Sequence, residues 1–352
     1  MSHRFLLALL LAAVTAPAVA DNPPAPTPAR QAGAQGSGSR ATLGAWVHGA
    51  KAWVSDLWSK DAGDWLDRIG PALIEQDYQG TLVIVSGTSM ETMGVFHAYD
   101  DGHERMRLVT LTGPHREVIR NDRMVMCIGT GIDSVGYDAD TAGRWNPAGQ
   151  FAEAGKLDSY RARLGNVGRV AARDCQVVDL QPKDGWRYGY RLWLDHDTGL
   201  PLRIALIGDD GKALEQMAFT ELQVGSKPDE ANLRPSTQQG LRRVQTLTAG
   251  KQSDPGWRVT APPAGFTLRG GRRLGESVQL LYSDGLASVS VYVEPFAGDQ
   301  HGESAMRRGA VNVHSIWQGG RRVVAIGKVP AGTVDYFARN VHPSGTTAAA
   351  RP

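Results

Sequence analysis

The chain has few cysteines, and none of the usual catalytic or metal-binding signatures. Its 352 residues include two cysteines, Cys127 and Cys175, and neither has a second cysteine or a histidine at ligand spacing, which excludes a zinc-finger type site. No serine stands in a Gly-x-Ser-x-Gly elbow, and no His-Glu-x-x-His run or carboxylate-rich calcium loop occurs. Gly129-Thr130-Gly131 lacks the third glycine and following helix of a dinucleotide site. Asp195-His196-Asp197 runs into Thr198-Gly199-Leu200-Pro201 and is explained as a polar hairpin turn, with an exported hydrolase as the rival reading. No enzyme, no metal and no cofactor are expected. Long hydrophobic runs are also missing: the longest, Phe5–Val14, is shorter than the roughly 20 residues a permanent span needs.

That run does have a use. His3 and Arg4 precede it and Ala18-Val19-Ala20 follows, the pattern of a secretory signal peptide over residues 1–20. Asp21, not a cysteine, follows the expected cleavage point, so lipid attachment there is not expected. Export places the working protein where disulfides persist. A Cys127–Cys175 bridge is therefore expected, closing a loop of about 48 residues and stabilising by about 3–4 kcal/mol, with two buried thiols as the alternative.

Charge is divided along the chain. Residues 61–230 carry 18 Lys/Arg against 27 Asp/Glu, a net of −9, whereas residues 241–342 carry 13 against 7, a net of +6. Two units with different partners would give this split, and so would a chance excess on solvated faces. Nucleic acid is not expected as a partner of an exported protein.

Residues 21–44 are rich in Pro, Ala, Gly, Ser and Gln and are expected to be disordered. Trp46, Ala50, Trp53 and Leu57 then fall at helical spacing, predicting an amphipathic helix within 45–60 that docks on a membrane or partner, or packs on the protein's own body. A second helix is expected over 64–76, with a possible break at Gly70-Pro71. Short strand-like runs follow from Gly80 to Val224, punctuated by Asp101-Gly102, Asp184-Gly185, Thr198-Gly199 and Asp210-Gly211. Hairpin-linked strands in meander order predict an α+β fold: one large, strongly curved antiparallel sheet covered by helices. Such a sheet can enclose an apolar cavity, and Leu82, Ile84, Val95, Leu108, Leu192, Trp193 and Ile204 are its candidate lining. Periodicity does not separate a lipid cavity from a filled core. Residues 227–256 form a linker, and 257–342 a smaller α+β unit with a closing helix at Pro330–Asn340, followed by a disordered tail at 343–352. Arg272, Arg273, Arg307, Arg308, Arg321 and Arg322 in that unit suit an acidic protein face or lipid phosphates, or else serve as a solubilising edge.

Several stretches together resemble one family. They are Gly113-Pro114-His115-Arg116-Glu117-Val118, the run from Asp184-Gly185-Trp186-Arg187 to Leu194-Asp195, and Leu200-Pro201-Leu202-Arg203. Leu281-Tyr282-Ser283-Asp284-Gly285-Leu286, Arg307-Arg308-Gly309-Ala310 and Val323–Pro330 continue the set. The chain is similar, from about Trp65 to Val341, to the RseB/MucB family of periplasmic negative regulators of the sigma-E (AlgU-type) envelope-stress response. The resemblance implies a first domain over 61–226 like the carriers LolA and LppX, an unclosed β-barrel covered by helices, and an anti-sigma-factor-binding second domain. It implies a periplasmic, non-enzymatic protein that binds the periplasmic part of an RseA/MucA-type anti-sigma factor and blocks its site-1 cleavage until lipid or lipopolysaccharide releases it. A periplasmic lipid or lipoprotein carrier is the alternative, and self-association is left open. The chain departs from the family in the roughly 40 residues between the expected leader and the first family helix.

Overall fold

The computed structural model describes residues 61–121, 124–129, 132–138, 151, 158–237, 242–243, 254–298 and 302–344. The expected leader, the 21–44 segment, the tryptophan helix at 45–60 and the tail from 345 lie outside them, as does most of the linker between 238 and 253. Among the described residues no helix is long and apolar enough to cross a membrane.

The single helix expected at 64–76 is two helices, α1 (Ala62–Asp67) and α2 (Ile69–Glu75). Asp61 caps α1, its Oδ1 accepting the Gly63 N–H at 2.9 Å, which satisfies a backbone donor that the helix leaves unpaired. The break falls at Arg68, and Pro71 stands in the first turn of α2, where its missing N–H is not needed. Trp65, Ile69, Ala72 and Leu73 are buried against the sheet.

Eleven strands follow: β1 (Tyr78–Ser86), β2 (Ser89–Asp100), β3 (His103–Thr110), β4 (Arg116–Asn121), β5 (Met124–Gly129), β6 (Ile132–Asp138), β7 (Tyr160–Val170), β8 (Arg173–Pro182), β9 (Gly189–Asp195), β10 (Pro201–Ile207) and β11 (Ala213–Val224). A short helix, α3 (Glu230–Leu233), and β12 (Arg242–Arg243) come next. All twelve strands form one sheet in the order β12-β6-β5-β4-β3-β2-β1-β11-β10-β9-β8-β7, antiparallel throughout except where β12 joins β6. The sheet is not closed, although β7 curls back to touch β11. α1 touches β7 and α2 touches β2, while α3 packs on β2 and β3.

The second unit has its own sheet: β14 (Thr267–Leu274), β15 (Ser277–Ser283), β16 (Ser288–Pro295), β17 (Gly302–Arg308), β18 (Val311–Gln318) and β19 (Arg321–Gly327), ordered β14-β15-β16-β19-β18-β17 and antiparallel. β13 (Trp257–Val259) and β20 (Val341–Pro343) pair separately. The helix expected to close the unit is present as α4 (Ala331–Arg339). Its Val334, Phe337 and Ala338 lie on Val278, Leu280, Tyr282, Val289, Val291, Val293, Val323 and Ala325, all buried. Phe337 meets Phe266 and Tyr282 at ring distances of 5.4 and 5.2 Å.

Strand alternation explains this core: residues two apart share a face, so the odd residues of β16 and the even ones of β15 point to α4. The same rule missed β17, whose seven residues are all exposed at the sheet edge and show no alternation.

Candidate functional site

Register assigns each candidate lining residue to a face. Leu82 pairs with Met93, Val95 with Leu108, and Leu192 with Ile204, which in turn pairs with Met217 beside Ile84. Directly opposed residues of antiparallel strands point the same way. Leu82, Ile84, Val95, Leu108, Leu192 and Ile204 therefore share one face, and all but the half-buried Ile84 are buried. Trp193 does not join them. It follows Leu192 directly, so it points to the other face, where the Arg203 guanidinium lies 4.3 Å over its ring.

In the curled half, β7 to β11, the shared face is filled by side chains. Leu192 and Val178 are fully buried, and Phe151 packs edge-on against Tyr190 at 5.0 Å. The helices engage the shared face on β2. His97, fully buried there, stacks on Tyr78 at 4.6 Å and meets the Gln76 carbonyl through Nδ1 at 2.8 Å. A shallow groove of about 280 Å³ lies on the opposite face, lined by Gln79, Thr81, Gly94, Phe96, Leu111 and Glu221, and holds none of the six.

The two cysteines do not form the expected bridge; both are free thiols. Cys127 pairs with Val118 and so lies on the face of Leu108, whereas Cys175 pairs with Asp195 on the face of Trp193. Seven strands stand between β5 and β8, and at ~4.8 Å per strand no disulfide reaches across, least of all between opposite faces. Burial pushes each thiol up to about 11, which leaves it protonated and unreactive at neutral pH.

Asp195-His196-Asp197 is a turn. The Asp195 carboxylate accepts hydrogen bonds from Arg173 Nε and Nη2 at 2.7 and 2.8 Å and from the Thr198 hydroxyl at 2.7 Å. With those partners it does not orient His196, which leans on Asp197 at 3.2 Å. Gly199 completes the turn at φ +82°, where any Cβ would meet Arg68 at 2.6 Å.

The six arginines of the second unit are spread out. Arg272 and Arg273 are on edge strand β14, Arg307 and Arg308 on the opposite edge strand β17, with four strands between. Arg321 and Arg322 are interior, on β19, over Trp257 and Trp317 at 5.3 and 6.0 Å. Register puts Arg272, Arg308 and Arg322 on the face away from α4, and Arg273, Arg307 and Arg321 on the other. They do not form one patch.

The sequence reading missed the joint between the sheets. The loop before β9 carries Trp186, Arg187 and Tyr188 into the second unit. Arg187 is fully buried; its Nε donates to Asp184 at 3.0 Å, and its other nitrogens reach Asp284 and the Ala264 carbonyl. Its guanidinium also lies 4.8 Å over Phe266. Asp284, likewise fully buried, accepts the Leu286 and Ala287 N–H groups through its second oxygen at 2.9 and 2.7 Å. Asn312 donates to the Tyr188 hydroxyl at 3.1 Å, and Thr333 to the Trp186 carbonyl at 2.9 Å. Trp186 packs edge-on against Tyr336 at 5.1 Å. Two of the stretches that carried the family resemblance, 184–195 and 281–286, thus meet each other here. A buried Arg-Asp pair holds its place only when both partners are satisfied, as they are in this joint.

A second buried anchor ties down the chain leaving the first sheet. The fully buried Glu117 accepts from Arg107 at 2.9 Å and from the Ser236 N–H at 3.0 Å. Burial alone would raise its pKa, but these hydrogen bonds win and hold it at about 2.

An open curved sheet joined to a second, smaller sheet through a polar-lined contact defines a two-domain architecture. The N-terminal domain model of the MucB/RseB family matches residues 61–237, and the C-terminal domain model residues 251–342. The chain belongs to the MucB/RseB family, which is a family of regulatory binding proteins and not of enzymes. The sigma factor AlgU regulatory protein MucB of Pseudomonas aeruginosa is 34% identical over 294 residues, covering 80% of this chain and 91% of the relative. The sigma-E factor regulatory protein RseB of Escherichia coli K12 is 25% identical over 292 residues, covering 80% and 90%. A solved complex of P. aeruginosa MucA and MucB contains a chain 34% identical to this one, with a TM-score of 0.69 over 81% of this chain and 100% of that one. A crystal structure of MucB with MucA(peri) gives a TM-score of 0.64 at 32% identity over 81% and 100%.

Proposed function

We propose that this chain is a periplasmic negative regulator of a sigma-E-type envelope-stress response. It binds the periplasmic domain of a membrane-spanning anti-sigma factor of the RseA/MucA type and shields that factor from site-1 proteolysis. A lipid signal releases it. The observation that carries this reading is the match along both domains to MucB, together with the solved MucA–MucB complexes of the same fold. The signal-peptide pattern at 1–20 supports export. The apolar face of the large sheet supports the lipid arm: in its less curled half, Leu82, Val95 and Leu108 are buried on one face with Ile84 half-buried beside them, a place where an acyl chain replaces like with like.

The test is calorimetric titration of the chain from Asp21 onward with the periplasmic region of its cognate anti-sigma factor, repeated with lipopolysaccharide fragments present. Tight binding that lipid weakens is the expected result. Absence of protein binding with lipid still bound would replace this reading with a lipid or lipoprotein carrier. Nearly complete release requires lipid to favour the unbound state by about 5 kcal/mol.

A further inference from the structure

Glu303 on β17, His314 on β18 and Asp335 on α4 each aim a ligand atom at one point, all within 4.8 Å of one another. His314 Nε2 lies 3.1 Å from Asp335 Oδ1 and 3.6 Å from Glu303 Oε2. The imidazole is only 9% exposed, and its Nε2 is a buried atom that makes no hydrogen bond of acceptable geometry. A buried ring nitrogen facing two carboxylates without a proper hydrogen bond is costly unless something sits between them.

Arg339 already answers part of the carboxylate charge. Its Nε donates to Asp335 at 2.6 Å and its Nη2 reaches Glu303. That guanidinium is half-exposed, at 48%, so it can swing into solvent. It gathers the two carboxylates beside His314 and leaves the imidazole unserved.

We propose that Glu303, His314 and Asp335 form a zinc site, with Arg339 as the cation that holds the carboxylates until the metal displaces it. One imidazole and two carboxylates suit zinc better than calcium or magnesium, which prefer an all-oxygen shell. Tetrahedral ligands at about 2.0–2.2 Å from zinc lie roughly 3.3–3.6 Å apart, close to the 3.1 and 3.6 Å that already separate His314 Nε2 from Asp335 and Glu303. His314 binds through the Nε2 lone pair with its proton on Nδ1, and the fourth position is left to water. The consequence is mechanical. Zinc would fix α4 to the β17–β18 hairpin, and α4 carries Thr333 and Tyr336, which hold Trp186 of the first domain.

The experiment uses the chelator-treated chain from Asp21 onward and zinc chloride alone, in competition with a chromophoric chelator. One zinc per chain is expected at micromolar affinity. His314→Gln should weaken it at least tenfold and Asp335→Asn similarly, while Arg339→Gln, which removes the competing cation, should tighten it several-fold. Cobalt substitution reports the same site by its visible bands, present in the parent and lost in His314→Gln. Circular dichroism confirms that each variant is folded, and Asp335→Asn, on the helix surface, keeps the test alive where His314→Gln does not fold. Zinc binding indifferent to both His314→Gln and Asp335→Asn overturns the proposal, as does absence of binding in both the parent and Arg339→Gln.

Discussion

The two sheets solve the same burial problem differently. The larger one has packed elements on both faces: α2 lies against β2 on one, α3 and the segment to Ser236 cover part of the other beside the open groove at Phe96 and Leu111, and its curled half is filled from within. The smaller one has α4 on one face, while the opposite face leaves Leu281 exposed and Trp317 and Tyr292 half-buried. The smaller sheet thus keeps its apolar core on one side only, and its other large contact is the joint with the first domain. A sheet covered on one face depends more on its neighbours, so the polar joint should matter more to the small domain than to the large one.

Breaking the joint gives the largest expected effect. Arg187→Met leaves Asp284 buried without its partner and should cost about 3–5 kcal/mol in a urea melt; a loss below about 1 kcal/mol would mean that the two sheets stand independently. Phe337→Ala should cost about 3–5 kcal/mol and Leu192→Ala about 2–5 kcal/mol. Joint-coupled domains move in one transition in both variants, whereas uncoupled domains give two, each variant shifting only its own.

The linker anchor sharpens the contrast from the other side. Glu117 is held at about 2 when folded, against 4.5 ordinarily, so its contribution is fully present above pH 4.5 and is lost as pH falls towards 2. The parent should lose about 3 kcal/mol across that window that Glu117→Gln does not lose, measured by melts at fixed pH values. Smallest is the cap of the first helix: Asp61→Ala should cost about 1 kcal/mol of thermal stability, confined to the large domain.

The sheet architecture is legible because alternation and turn residues mark most strands: the strand-like runs Arg116–Asn121 and Pro201–Ile207, read from the sequence alone, are β4 and β10 residue for residue. Of β7 only its end, Val167–Val170, reads as a strand from the sequence alone. Its hairpin to β8 turns on Ala171 and Ala172, at φ +49° and +61°, a positive-φ pair normally signalled by Asn or Gly. The edge strand β17 offered no alternation to read. Among site residues, the shared apolar face was legible from periodicity except for Trp193, where two adjacent residues were given one face. Arg187 and Asp284 stand 97 positions apart, and nothing local marks them as partners. The same holds for Glu303, His314 and Asp335, which come from three elements and so show no ligand spacing.

Cys127 and Cys175, on opposite faces of one sheet, bear on how the protein is made. The described fold holds no disulfide between them that would have to be formed by oxidation. Reducing and oxidising surroundings are therefore equally compatible with the described fold, since neither thiol has to be oxidised for it to form.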